Sequence, residues 1–180
     1  MAQIYVLGDS HTGVLGPILA KRLGARYEAF SGYSTARAHA AAHIPSGQDV
    51  VAISLGGNDF GDQSAARAAL VAEVRQKNPG AQVVWFGPFH STSPGTDARH
   101  NQQAEAQRRQ AGALGVSWID TRHISNVPHT ADGVHFTGTS YAKIGAFMES
   151  ELREMLGSGW SWAAAIGALG LWWFLWRQRR

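Results

Sequence analysis

Along residues 4–119, short apolar runs alternate with longer segments of helical pattern, and Gly, Pro, Asn or Asp punctuates the junctions. Ile4–Leu7 reads as a first buried strand and Val14–Leu23 as a helix, followed by a weaker strand at Tyr27–Phe30 and an alanine-rich helical segment at Thr35–His43. Asp49–Leu55 is a strongly apolar strand ending in Gly56-Gly57-Asn58-Asp59, and Ser64–Lys77 is a helix stopped by Asn78-Pro79-Gly80. Gln82–Phe86 forms a fourth strand, and Gly87-Pro88 opens a long loop reaching about Asp97. Arg99–Leu114 is a polar helix and Val116–Ile119 a fifth strand. After an irregular stretch from Thr121 to Thr137, a last amphipathic helix spans Thr139–Leu156, with Tyr141, Ile144, Phe147 and Leu152 directed inward. Strands that are apolar throughout, alternating with helices, predict a parallel sheet covered on both faces.

The pattern changes at the carboxyl end. No charged residue occurs from Met155 to Trp176, and five of the seven tryptophans lie here. As a helix the segment measures about 33 Å, enough to cross a hydrocarbon core. Trp160 and Trp162 stand at one end and Trp172, Trp173 and Trp176 at the other, like the paired aromatic belts of a membrane helix with an arginine anchor. The expectation is residues 1–156 as one domain and 157–180 as a Gly-Ser-Gly hinge, a single transmembrane helix and a basic tail, giving membrane association through residues 160–176. A hydrophobic helix packed on the domain or in an oligomer, or a disordered tail, is the alternative. The three terminal arginines place the tail in the cytoplasm by the positive-inside rule, yet the strand pattern starts almost at Met1 with no leader pattern before it. The side of the membrane stays open.

Charge and cysteine content narrow the classes. Arg177, Arg179 and Arg180 account for the whole formal charge of +3, and the remaining 13 basic residues balance 13 acidic ones. A neutral body does not support a nucleic-acid footprint. With no cysteine in the 180 residues, disulfides, thiolate catalysis and Cys-based zinc sites are excluded. Eight histidines raise the question of a metal, but no HExxH or comparable pairing is present, and neither metal nor cofactor is expected.

Candidate chemistry gathers where strands end. Ser10 lies in the turn after the first strand, within Gly8-Asp9-Ser10, and faces the start of a helix. Chemistry in an open α/β sheet sits at the carboxyl ends of the strands, so Ser10 is a candidate nucleophile once a base and an oxyanion hole exist. Alone, this tripeptide also reads as a capped strand-to-helix turn, and GGND as an ordinary strand-ending turn. Asp-x-x-His occurs three times, at Asp97–His100, Asp120–His123 and Asp132–His135. Asp97 is expected to cap the helix beginning near Arg99. Asp120 ends the fifth strand, which leaves His123 as a competitor for the role of base. His11 and His90 have no paired carboxylate in sequence and default to loop or surface positions, although His90 could line a substrate site.

The set Gly8-Asp9-Ser10, then isolated Gly32, then Gly56-Gly57-Asn58-Asp59, then Asp132-Gly133-Val134-His135 resembles the SGNH (GDSL-type) serine esterase and lipase hydrolase family in composition, spacing and order. The resemblance covers about residues 3–156. It implies a three-layer α/β/α flavodoxin-like fold with a five-stranded parallel sheet ordered 2-1-3-4-5, to which the C-terminal hydrophobic helix is added. It further implies Ser10 as nucleophile, His135 as base, Asp132 as the residue fixing the imidazole, and an oxyanion hole from the Ser10 and Gly32 amides and the Asn58 side chain. Asp9 and Asp59 read as turn-forming residues. Serine-dependent hydrolysis of short acyl esters, such as O-acetyl groups on carbohydrates, is the expected activity, on a small-molecule or glycan ester and without metal. Trp85, Phe86 and Phe89 are candidates for an apolar wall. A membrane-associated lysophospholipase or thioesterase is the enzymatic alternative, and a non-catalytic binding protein with the same fold is the other.

Overall fold

The computed structural model describes residues 2–177, with side chains described as far as Gly157. Five strands, β1 (Ile4–Gly8), β2 (Arg26–Ala29), β3 (Val50–Ser54), β4 (Gln82–Phe86) and β5 (Ser117–Ile119), form one sheet in the order β2-β1-β3-β4-β5. Every pairing is parallel. The helices are α1 (Ser10–Leu23), α2 (Thr35–Ala41), α3 (Ser64–Lys77), α4 (Pro94–Leu114) and α5 (Gly138–Arg177). This is the α/β fold and strand order that the resemblance implies. The expected hinge and membrane span at 157–180 fall at and beyond the last described side chain. Among the described residues, no helix is long and apolar enough to cross a membrane.

The central strands are buried on both faces, which explains why they read as continuous apolar runs rather than as alternating ones. Successive side chains of β1 point to opposite faces and so enter two separate cores. Ile4 and Val6 join Leu15 and Leu19 of α1 and Tyr141, Ile144, Met148 and Leu152 of α5. Tyr5 and Leu7 join Leu70, Val71 and Val74 of α3 on the other face. Each such aliphatic side chain removed from water contributes roughly 1.5–3 kcal/mol. Met148 completes the inward face of α5, whereas Phe147, expected inside, is only partly buried.

Two helix starts differ from the sequence reading. α1 begins at Ser10 rather than Val14, because the Asp9 side chain accepts from the His11 N–H at 3.1 Å and so caps the helix directly after β1. α4 begins at Pro94 rather than Arg99, since proline at the first helical position has no N–H to satisfy. Asp97 therefore lies inside the first turn of α4 and is not its cap. Its carboxylate accepts instead from the Ser91 N–H at 2.9 Å and from Asn101 Nδ2 at 2.9 Å.

Candidate active site

The turn after β1 is set by close packing. A Cβ on Gly8 would lie 1.8 Å from Thr12 Oγ1 and 2.7 Å from the Ser54 carbonyl, so no larger residue fits between β1 and β3 here. The Asp9 N–H donates to the Ser54 carbonyl at 3.1 Å, and the Phe30 N–H donates to the Gly8 carbonyl at 2.9 Å. Ser10 follows as the first residue of α1, where its N–H has no partner in the helix ladder.

From the loop before α5, His135 reaches this serine. Its Nε2 is 3.0 Å from Ser10 Oγ, and its Nδ1 is 2.7 Å from Asp132 Oδ2. The other oxygen of Asp132 accepts from the N–H groups of Val134 and His135, each at 2.9 Å, and from Thr130 Oγ1 at 2.8 Å. The hydrogen bond to the His135 ring, and then these others, hold the Asp132 carboxyl well below the usual carboxylate range. An ionised Asp132 beside Nδ1 favours the tautomer with hydrogen on Nδ1, which leaves the Nε2 lone pair facing the serine hydroxyl.

Gly133 is required twice over. Its φ of +68° lies in the left-handed region, and a Cβ there would approach Thr92 Oγ1 to 2.7 Å. Its carbonyl accepts from the Thr92 N–H at 2.8 Å and from Ser91 Oγ at 2.6 Å, which ties this loop to the segment after β4.

Asn58 lines the same cleft as Ser10, a space of about 230 Å³ that also borders Gly57, Arg99, His100 and Val134. The loop carrying it is fixed by Asp59, fully buried, which accepts from the Thr35 N–H at 2.6 Å, from Thr35 Oγ1 at 2.9 Å and from Arg67 Nη1 at 3.4 Å. Gly32 stands exposed in the turn after β2 and is not among the residues lining the cleft. A Cβ on it would meet nothing within 4 Å, whereas its φ is +72°. Backbone conformation, not space within the chain, calls for glycine at this position.

The remaining histidines divide sharply. His123 packs edge-on against Phe147, with ring centroids 5.8 Å apart, on a different side of α5 from Tyr141, and has no contact with Ser10. His100 lies on the cleft floor, with Nδ1 2.6 Å from the Phe89 carbonyl and Nε2 3.0 Å from the Gly57 carbonyl. His11 is buried rather than on the surface. Burial, with the neighbouring His135 ring adding to it, pushes its pKa down to about 3. Its Nδ1 lies 3.0 Å from Tyr141 Oη and its ring is 5.3 Å from that of His135. A neutral His11 therefore packs beside His135 without opposing a positive charge there. His90 packs against His129 and Phe136 and does not line the cleft.

The expected apolar wall is also corrected. Trp85 and Phe86 point into opposite cores, and Phe89 packs on His11 and Phe136. Side chains of a strand buried on both faces have no route to a cleft at its end. Sequence reasoning missed Arg99 and His100 as cleft residues because they arrive from α4 through tertiary packing. Only the Asp97–His100 spacing hinted at them.

A serine hydroxyl, an imidazole and a carboxylate in one hydrogen-bonded line at the end of a parallel sheet have the geometry of a hydrolytic site. The profile of the GDSL-like lipase/acylhydrolase family matches residues 6–143, and the chain belongs to that family. Its class is that of the carboxylic ester hydrolases. No curated protein gives a significant match. Among solved structures, the fold resembles a carbohydrate esterase family 2 enzyme with a carbohydrate binding domain from Corynascus thermopiles (Myceliophthora fergusii), with a TM-score of 0.67 at 21% identity over 87% of this chain and 67% of that one. A carbohydrate acetylesterase from Sinorhizobium meliloti superposes with a TM-score of 0.63 at 16% identity, covering 86% of this chain and all of the other. An extracellular lipase from Streptomyces rimosus gives 0.61 at 17% identity, over 88% of this chain and 100% of that one.

Proposed function

We propose that the protein hydrolyses short acyl esters, O-acetyl groups on carbohydrates in particular, through an acyl-enzyme on Ser10. The observation that carries this reading is the line Asp132 Oδ2, His135 Nδ1, His135 Nε2, Ser10 Oγ, with contacts of 2.7 and 3.0 Å. His135 removes the hydroxyl proton as Ser10 Oγ attacks the ester carbonyl. The negative charge that develops on the carbonyl oxygen is met by the Ser10 N–H and the Asn58 amide, which border the cleft; the Gly32 N–H is a third donor on the family resemblance alone, since Gly32 does not line the cleft. Collapse of the tetrahedral adduct breaks the bond to the alcohol oxygen, which takes the proton from His135. Water, deprotonated by the same imidazole, then attacks the acyl group and releases the acid and the free serine.

The cleft at Ser10 is shallow and bordered by polar groups, Asn58, Arg99 and His100 among them, and offers no long apolar channel, which suits a short acyl group better than a long chain. The carbohydrate esterases among the similar folds agree with that preference. A series of para-nitrophenyl esters from acetate to decanoate tests it, with kcat/KM expected to be highest at acetate and to fall as the chain lengthens. A maximum at the long-chain end would instead favour the lysophospholipase or thioesterase reading. The apolar segment at residues 160–176 speaks for that second reading, and with it for a single-pass C-terminal membrane anchor. Carbonate-resistant sedimentation of the full chain is its expected outcome, and a full chain that washes off membranes would remove the anchor.

A further inference from the structure

The cleft beside Ser10 contains one permanently charged residue, Arg99, which the reaction described above does not use. Its guanidinium lies 4.5 Å from the centre of the Phe60 ring, and Phe60 is 69% exposed, the most open of the large apolar side chains described. Nη2 of Arg99 donates to the Gly57 carbonyl at 3.3 Å, an oxygen already contacted by His100 Nε2 at 3.0 Å. Its Nε donor is buried and has no acceptor. Among the described residues no carboxylate lies within ion-pair distance of it, since Asp97, two positions earlier, is occupied by Ser91 and Asn101. Stacking and the carbonyl contact hold the guanidinium in place, yet among the described residues it forms no ion pair at the edge of the reacting centre.

A guanidinium so fixed is suited to a planar or tetrahedral oxyanion, because its donors form a rigid fork and their geometry is set before the ligand arrives. The one carboxyl lining the cleft, Asp9, is turned to other work. It accepts from the His11 N–H at 3.1 Å, and burial pushes its pKa up to about 6. His11 is neutral, so Arg99 is the cleft's permanent positive charge, set against an Asp9 carboxyl that ionises above about pH 6.

We propose that Arg99 receives an anionic group of the substrate, a carboxylate or phosphate close to the scissile ester, and that the enzyme thereby selects negatively charged esters over neutral ones. The selection rests on Ser10-dependent hydrolysis and adds to it the class of substrate. The anion has two sources, the acyl part or the alcohol part, and both border the cleft that Arg99 shares with Ser10.

The test is a ratio of kcat/KM values. On the alcohol side, para-acetoxybenzoate is compared with neutral para-acetoxybenzamide and with the cationic acetate of para-hydroxyphenyltrimethylammonium. On the acyl side, monophenyl glutarate is compared with phenyl valerate, and spontaneous hydrolysis is subtracted throughout. The wild-type chain is expected to favour the anion by at least about tenfold in one arm, the lower end for a hydrogen bond to a charged group. That preference should shrink as salt is raised. Arg99→Gln is expected to collapse it, Arg99→Lys to retain part of it, and Arg99→Glu to turn it towards the cation. Ratios near one in both arms, or a preference unaltered in a folded Arg99→Gln, would overturn the proposal. Should Arg99→Gln not fold, the Arg99→Lys ratio and the salt dependence of the wild type decide in its place. Failure of the underlying reaction reads out separately, as hydrolysis of the neutral esters that survives in Ser10→Ala.

Discussion

Two acidic turns meet at this site, and the chain treats them in opposite ways. Asp9 closes the turn after β1, is 4% exposed, and is pushed up to about 6 by burial. Asp132 organises the loop before α5, with its side chain 49% exposed, and its carboxyl is held well below the usual range by hydrogen bonds. The first turn is clamped from outside, by the Ser54 and Gly8 carbonyl contacts and by the packing of Thr12 against Gly8. The second is held largely from within, since one carboxylate receives Thr130, Val134 and both the main chain and the ring of His135. The Thr130 N–H also donates to the His135 carbonyl at 2.8 Å. Position of Ser10 is thus a property of the sheet, whereas orientation of His135 is a property of one exposed side chain.

The contrast predicts where substitutions hurt activity and where they hurt stability. The largest effect is expected at Ser10 and His135, the groups proposed to react. Ser10→Ala should lower kcat/KM for para-nitrophenyl acetate by on the order of 10⁴ or more, with a thermal midpoint close to that of the wild type. His135→Ala should match it, and the double variant should be no worse than either, because the two act as a unit. His123→Ala should leave turnover near wild type, and loss of activity there instead would move the base to the edge of the sheet.

Next in size is the carboxylate that organises the loop. Asp132→Asn keeps the side-chain volume but offers Nδ1 a weaker acceptor, so the favoured tautomer is lost, and kcat should fall by roughly 10³–10⁴. If kcat changes less than tenfold while the fold persists, His135 is oriented by its surroundings and the contrast between the two turns fails.

The β3 end is expected to behave like the β1 end, fixed from beneath. Asn58→Ala should reduce kcat by about 10²–10³ with little change in KM, the signature of a donor used only in the transition state. Equal loss in KM would instead make Asn58 a binding group.

The two acidic turns differed in legibility as well. The turn after β1 could be read because its strand is a continuous apolar run and because Gly8-Asp9-Ser10 is a local motif. The start of α1 could not be read, since a capping Asp and a turn Asp look alike until the N–H of His11 is placed. Asp132–His135 stood out by its spacing and glycine, although two other Asp-x-x-His pairs shared the spacing. What separates them is tertiary: His123 lies against Phe147, and His100 is drawn under the cleft by carbonyls of two distant loops. Arg99 and the burial of His11 were invisible for the same reason. Periodicity reports which face of an element is apolar, not which residues of two elements meet.

The smallest expected effect tests the buried half of the contrast directly. A carboxyl whose folded pKa is raised is protonated in the folded state while the unfolded chain has already ionised, so stability is full below about pH 4 and is lost as pH rises through about 6. A rise from 3.8 to about 6 corresponds to a loss of about 3 kcal/mol. His11 works in the opposite sense. Its folded pKa is depressed to about 3, so its contribution is present above the ordinary histidine range and is lost as pH falls towards that value. The two slopes overlap in the wild type, and Asp9→Asn separates them. Asparagine still accepts from the His11 N–H, so the helix cap survives while the ionisation is removed. Urea unfolding at pH 4, 5, 6 and 7 should show the stability of Asp9→Asn rising relative to wild type by about 2 kcal/mol across that range, since the unfolded carboxyl is already partly ionised at pH 4. A difference that stays flat with pH would mean that Asp9 ionises as easily as Asp132, and that burial does not set the two turns apart.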